Sequence, residues 1–263
     1  MKANTIKHGG HRGLVVAMAA VLAVAALAGL VAGYESLAEI YCQQCVIEDV
    51  SAQVEIVSGK MVKPDVIAEN MGLRKGANLA KIDFAEKRDE ILRKIPTLRE
   101  ISVTRILPDK VRIVAEERTP VAKMGIRGRR GTTGRVVDSE GIVFLCQRGT
   151  LLLPTITEPQ APGTQPGHRI KDRAIAALEL VETCREPEFA ELGVQDVDVS
   201  KPNYLLATLG DYSRLKISWE SRRDMEERLS LLVQTIRTRI GSGARTWNAT
   251  MPGRIFADTQ ETR

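Results

Sequence analysis

Residues 13–33 form an unbroken apolar run of Leu, Val, Ala, Met, Ile-free but Gly-containing sequence, without one charged side chain. As a helix this run is roughly 31 Å long, about the hydrocarbon thickness of a bilayer. A helix also satisfies its backbone donors internally, which lipid demands. Leu14, Val15, Val16, Val21, Leu22, Val24, Leu27, Leu30 and Val31 carry most of the hydrophobicity. No polar face interrupts the run, which argues against a core helix of a soluble domain. A cleaved signal peptide is the rival reading, and Ala28, Ala32 and Gly33 supply small residues for a cleavage site. The run exceeds the roughly 7–15 residues of a signal core, which favours a permanent anchor. Ile40-Tyr41 before Cys42 is too bulky for a lipoprotein signal.

The flanks give this segment a direction. Lys2, Lys7 and Arg12 precede it, and Glu35 and Glu39 follow it. The positive-inside rule places residues 1–12 in the cytoplasm and residues 34–263 outside. The first 33 residues hold +3 of the formal net charge of +5, so the body is nearly balanced. Such a body lacks the electrostatic footprint of a nucleic-acid-binding protein. Aromatic residues at 4% are also too few to build stacking platforms for single strands.

Past the anchor, residues 53–58 alternate apolar and polar, the pattern of a strand. Gly59-Lys60 marks a turn, and Pro64 opens a helix carried by Val66, Ile67 and Met71 up to Gly72. Asp83 with Glu86 has capping-box spacing, Ile91, Leu92 and Ile95 supply an apolar face, and Pro96 ends that helix. Ile101 and Val103 alternate with polar residues, Pro108-Asp109-Lys110 turns the chain, and Val111, Ile113 and Ala115 line a paired strand. The predicted order is strand, helix, helix, strand, strand.

Five segments in this stretch carry a resemblance. They are Val57-Ser58-Gly59, Gly76-Ala77-Asn78-Leu79, Pro96-Thr97-Leu98, Arg105-Ile106-Leu107-Pro108-Asp109 and Glu117-Arg118-Thr119-Pro120-Val121. In order and spacing they resemble the POTRA domain of the FtsQ/DivIB cell-division family, although Thr97 replaces the family's Trp. That resemblance implies an α+β chain. It would have a cytoplasmic tail (1–12), one transmembrane helix (13–33), a juxtamembrane linker (34–52), a β-α-α-β-β POTRA domain (53–119) and a mixed β domain carrying helices (120–263). It further implies a non-enzymatic bitopic divisome scaffold of the cell inner membrane at the division septum. Such a scaffold links early and late division proteins, uses no cofactor and binds FtsB and FtsL. Partner recognition in the family uses an exposed edge strand near the C-terminus, to which a partner strand adds. Here the matching stretch points to Arg254, Ile255, Phe256 and Ala257, against the competing reading that Ile255 and Phe256 fill the core.

The rest of the body fits a β domain. Residues 134–144 read as strand, turn, strand, and Leu153-Pro154-Thr155-Ile156 begins another. After a Pro/Gly-rich loop, Ile170, Ala174, Ala177, Leu178 and Val181 share a helix face. Strands are predicted near 194–199, 204–209 and 214–219. Ser221 and Asp224 then cap a helix striped by Met225, Leu229, Leu232, Val233, Ile236 and Ile240 and stopped at Gly241.

Catalytic and ligand motifs find little support. His168 is the one extracytoplasmic histidine and sits in a predicted loop, where solvation suffices to explain it. Gly128-Arg129-Arg130-Gly131 has the form of an RNA-clamping KH loop but sits outside the cytoplasm. Lys123, Arg127, Arg129, Arg130 and Arg135 around it read as a solvated linker, with contact to acidic head groups or an acidic partner as the second reading. Cys42-Gln43-Gln44-Cys45 admits a local disulfide, idle thiols, a redox pair or half a zinc site. No thioredoxin-like βαβ unit surrounds it and no second C-x-x-C exists, so an oxidising compartment favours the disulfide between Cys42 and Cys45 or idle thiols. No paired catalytic set implies an enzyme or a small-molecule substrate. POTRA domains also serve outer-membrane assembly or secretion, which is the alternative function. The 144 residues after Thr119, interrupted by two predicted helices, are too short and too helical for a barrel.

Overall fold

The computed structural model describes residues 18, 21–22, 24–31, 33, 44–106, 108–127, 134–146, 148–159, 164–238 and 243–258. In the apolar run, the described residues are helical, and Met18, Val21, Leu22, Val24, Leu27, Leu30 and Val31 are exposed. Among the described residues no helix is long and apolar enough to cross a membrane. The other residues of the expected span lie outside them, as do Cys42 and Gly128-Arg129-Arg130-Gly131.

The strand-helix-helix-strand-strand order predicted from the sequence is present. A one-turn helix, α1 (Val50–Gln53), is capped by Asp49, whose carboxylate accepts the Ser51 N–H at 2.9 Å. β1 (Val54–Val57) leads to α2 (Pro64–Asn70), where proline takes the first helical position and loses no hydrogen bond. α3 (Phe84–Lys94) starts at Asp83, whose Oδ1 accepts the N–H groups of Ala85 and Glu86 at 3.0 and 3.1 Å. β2 (Leu98–Ile106) and β3 (Lys110–Glu117) follow, and the three strands form a sheet in the order β1-β3-β2. β1 runs parallel to β3, from Val54 beside Val111 to Val57 beside Val114. In β3 the period of two is kept: Val111, Ile113 and Ala115 are buried and their neighbours are not.

By contacts the chain forms two compact units. The first comprises residues 1–57, 64–87 and 102–114, and the second residues 58–63, 88–101 and 115–263. In the first unit, the Gly76-Ala77-Asn78-Leu79 loop runs against residues 45–47. Ile47 N–H donates to Ala77 O, Gly76 N–H to Ile47 O and Leu79 N–H to Cys45 O. Cys45 and Ile47 are buried there. The Arg105 guanidinium lies 4.9 Å from the centre of the Phe84 ring and donates to Ile82 O.

The second unit is built on a nine-stranded mixed sheet. Its strands are β4 (Ala122–Ile126), β5 (Arg135–Val137), β6 (Val143–Leu145), β7 (Thr155–Glu158), β8 (Asp196–Asp198), β9 (Leu205–Thr208), β10 (Arg214–Ile217), β11 (Thr246–Ala249) and β12 (Phe256–Asp258). The spatial order is β12-β11-β10-β9-β8-β7-β4-β5-β6. Parallel neighbours need a crossover, and two helices of this unit supply two of them. α4 (Arg173–Thr183) joins β7 to β8, and α5 (Arg222–Arg237) joins β10 to β11. Ala177, Leu180 and Val181 of α4 share one buried cluster with Met225, Leu229 and Leu232 of α5 and with Ile156, Val197, Leu205 and Leu215 of the sheet. A short 3₁₀ turn, Ala190–Leu192, precedes β8.

Three details differ from the sequence reading. Lys123 lies in β4 between β5 and β7, not in a linker, because Ala122, Met124 and Gly125 are buried around it. Ile170 is buried but precedes α4. α5 ends at Arg237, with Thr238 as its C-cap, short of Ile240 and Gly241, which lie outside the described residues.

Candidate functional site

β12 is one edge of the nine-stranded sheet. It pairs antiparallel with β11, setting Phe256 beside Asn248, Ala257 beside Trp247 and Asp258 beside Thr246. Phe256 and Ala257 belong to this strand, whereas Arg254 and Ile255 lead into it. Their environments differ. Phe256 keeps 47% of its surface exposed, and Arg254 and Ala257 are also exposed. Ile255 is half-buried against the main apolar cluster. The competing readings of this stretch therefore divide by residue: Ile255 packs inward, and Phe256 presents an aromatic ring on an edge strand. An edge strand carries backbone donors and acceptors with no neighbouring strand to pair them.

The strand beneath this edge is anchored from α5. Ser221 Oγ accepts the Asp224 N–H at 3.2 Å and caps the helix. One turn on, Arg228 is buried and donates through Nε to both Asp224 oxygens at 2.9 Å. Its Nη1 reaches Ala249 O at 2.8 Å. Ser218 Oγ donates to Thr250 O at 3.0 Å. Trp247, set beside Ala257 in the β11–β12 pair, is buried in the main apolar cluster. A guanidinium in a core is tolerated when its donors are matched, and here the carboxylate and a carbonyl match them.

A second polar cluster, inside the second unit, gives roles to motif residues that had none from sequence. The Glu117 carboxylate accepts three successive backbone N–H groups, from Lys60 at 3.0 Å, Met61 at 2.8 Å and Val62 at 2.7 Å. A Cβ at Gly59 would collide with that carboxylate. Arg118 extends its guanidinium to Asp138 and, at 3.0 Å, to Glu140, while its Nε donates to Pro96 O. Asp138 Oδ1 in turn accepts the Glu140 and Ile142 N–H groups at 3.1 and 2.7 Å, shaping the β5–β6 turn. Arg99 bridges Glu140 at 2.8 Å and Glu116 at 3.2 Å. Hydrogen bonding from Arg118 holds the Glu140 carboxyl below the usual carboxylate range. The sequence signal for this cluster was the spacing of Val57-Ser58-Gly59 and Glu117-Arg118. The pairing across more than fifty residues was not readable from it.

The remaining sequence candidates stay apart. His168 is exposed. Cys45 is buried in the first unit, and the pairing expected with Cys42 falls outside the described residues. Cys146 and Cys184 are buried, and burial pushes the Cys184 thiol up to about 12, so it stays protonated at neutral pH. Among the described residues no three His, Cys, Asp or Glu side chains are grouped to hold a metal ion.

Comparison with known proteins agrees with this architecture. The family model described as POTRA domain, FtsQ-type, matches residues 51–118. The cell division protein FtsQ of Corynebacterium glutamicum is 20% identical over 242 residues, covering 92% of this chain and 96% of that protein.

Proposed function

Because the chain belongs to the FtsQ/DivIB family of cell-division proteins, we propose that it is a non-enzymatic, bitopic scaffold of the divisome. Residues 1–12 are its cytoplasmic tail, residues 13–33 its transmembrane helix and residues 34–52 the linker outside the inner membrane. The POTRA domain spans 53–119 and the β domain 120–263. At the septum it connects early and late division proteins, with FtsB and FtsL docking on the β domain. The apolar, uncharged run with cations only on its N-terminal side supports the span and its direction.

One observation carries the docking assignment: β12 is an exposed edge strand that presents Phe256, on a sheet whose adjacent strand is braced from α5. A partner strand added there gains main-chain hydrogen bonds, and Phe256 offers an aromatic anchor at the centre of the contact. Phe256→Asp places a charge where a desolvated ring is needed. The expected result is normal membrane abundance with loss of FtsB–FtsL co-purification, by tenfold or more on the scale of an aromatic hot spot, about 2 kcal/mol. Unchanged co-purification at normal abundance would show that docking lies elsewhere.

A further inference from the structure

Resting on the membrane-tethered reading above, we propose that the turn at residues 148–154, which leads into β7, is a lipid-contact surface that seats two leucines and nearby cations on an anionic phospholipid bilayer. Leu151 and Leu152 are 91% and 99% exposed, and Leu145 at the end of β6 is 57% exposed. The loop that presents them is held from several sides. Gly149 takes a positive φ of 69°, which glycine adopts without strain. Leu153 N–H donates to Thr150 O at 3.2 Å, the Cys146 thiol donates to Arg148 O at 3.2 Å, and Lys123 Nζ donates to Leu151 O at 3.3 Å.

Charge selects the partner. Residues 141–157 contain Arg148 and no acid, and residues 119–137 contain only cations among their charged side chains. Lys123 sits at the loop backbone, Arg135 pairs in the sheet with Leu145, and Arg148 is exposed on the loop itself. Arg127 is engaged by Ser200 and by Asp198 at 4.0 Å, and Asp196 on β8 lies near Lys123, so Arg135 and Arg148 supply the cations without such a neighbour among the described residues. Two aliphatic side chains projecting from a turn make a wedge rather than a groove. Leucine is under-represented among protein-docking hot spots. An apolar wedge beside cations fits the headgroup boundary of a bilayer, where apolar side chains insert about 5–10 Å and anionic lipid attracts the cations. Tethering by residues 13–33 would keep such a surface at high effective concentration, so a weak contact suffices.

The test uses the full chain carrying Cys42→Ser and Leu152→Cys, labelled with an environment-sensitive nitrobenzoxadiazole probe. It is reconstituted into vesicles of phosphatidylcholine with or without phosphatidylglycerol. Tyr212→Cys, on the exposed β9–β10 turn, is the labelled control. The expected result is a blue-shifted, brightened emission at position 152 in the anionic vesicles alone, with position 212 unchanged. Arg148→Gln should move the equilibrium about fivefold toward the water-exposed loop. An unshifted probe, or an equal shift in both lipid mixtures, overturns the proposal. Shielding that arises only after a purified FtsB–FtsL pair is added assigns the loop to protein docking and overturns it as well. Flotation of the vesicles after an alkaline wash reads the tether separately: a chain lost from the vesicles refutes the span, whereas an unshifted probe on retained chain refutes the loop contact.

Discussion

Single side chains in this molecule settle where polar groups can be buried. Glu117 is accommodated because three backbone N–H groups converge on it and Gly59 leaves the space. Asp196 is in the opposite position. Burial pushes its carboxyl above the usual range, and the Thr157 hydroxyl, donating at 2.7 Å, offsets this only in part. A carboxyl raised in the folded state favours the protonated form there. The contribution of Asp196 to stability is therefore fully present below the unfolded pKa, near 3.9, and is lost as pH rises through the folded value. Asp196→Asn keeps an acceptor for Thr157 and removes the titration. Its melting temperature should exceed that of the unaltered chain at pH 7 and converge with it near pH 3, as scanning calorimetry at both values would check. The sequence showed these residues only as members of a pattern. Val111, Ile113 and Ala115 reveal a strand face by period alone, whereas the partners of Glu117 and Asp196 come from segments distant in the chain.

Elements show the same division. The caps at Asp83 and Ser221 were readable because N-capping is a local hydrogen bond within three residues. β4 was not, since Lys123, Gly125 and Arg127 break the apolar signal. The structure explains Gly125: a Cβ there would approach Thr155 Cγ2 to 2.8 Å across the β4–β7 pair. β11 was obscured by Thr246 and Asn248, polar residues on an interior strand. What fixes β11 is the buried Arg228 reaching from α5 to Ala249 O. Arg228→Met keeps much of the volume but strands Asp224 and the carbonyl. Breaking a buried pair in this way costs about 3–5 kcal/mol. Urea unfolding should register that loss, and amide exchange should quicken first in residues 246–249.

At the scale of the whole chain, the second unit gathers segments from both sides of residue 102. Arg99, Glu116 and Arg118 surround the β5–β6 turn at Asp138 and Glu140, so a fragment beginning at residue 120 would lack three members of that network. Asp138, at 4% exposure, would then be left without its guanidinium. Residues 120–263 expressed alone should melt earlier and be cut faster by protease than the same residues in the full chain, and limited proteolysis of both would compare them. The order of elements was readable from sequence because each announces itself locally; this joint network was not, because its members lie in three separate segments. The chain has two tryptophans, and one of them, Trp247, sits on β11 beside Ala257 of the proposed docking strand, its indole N–H buried without a hydrogen-bond partner among the described residues. The molecule thus has a native optical gauge at its edge: with Trp219→Phe removing the other emitter, arrival of a partner strand could be followed in real time by intrinsic fluorescence, with no dye attached.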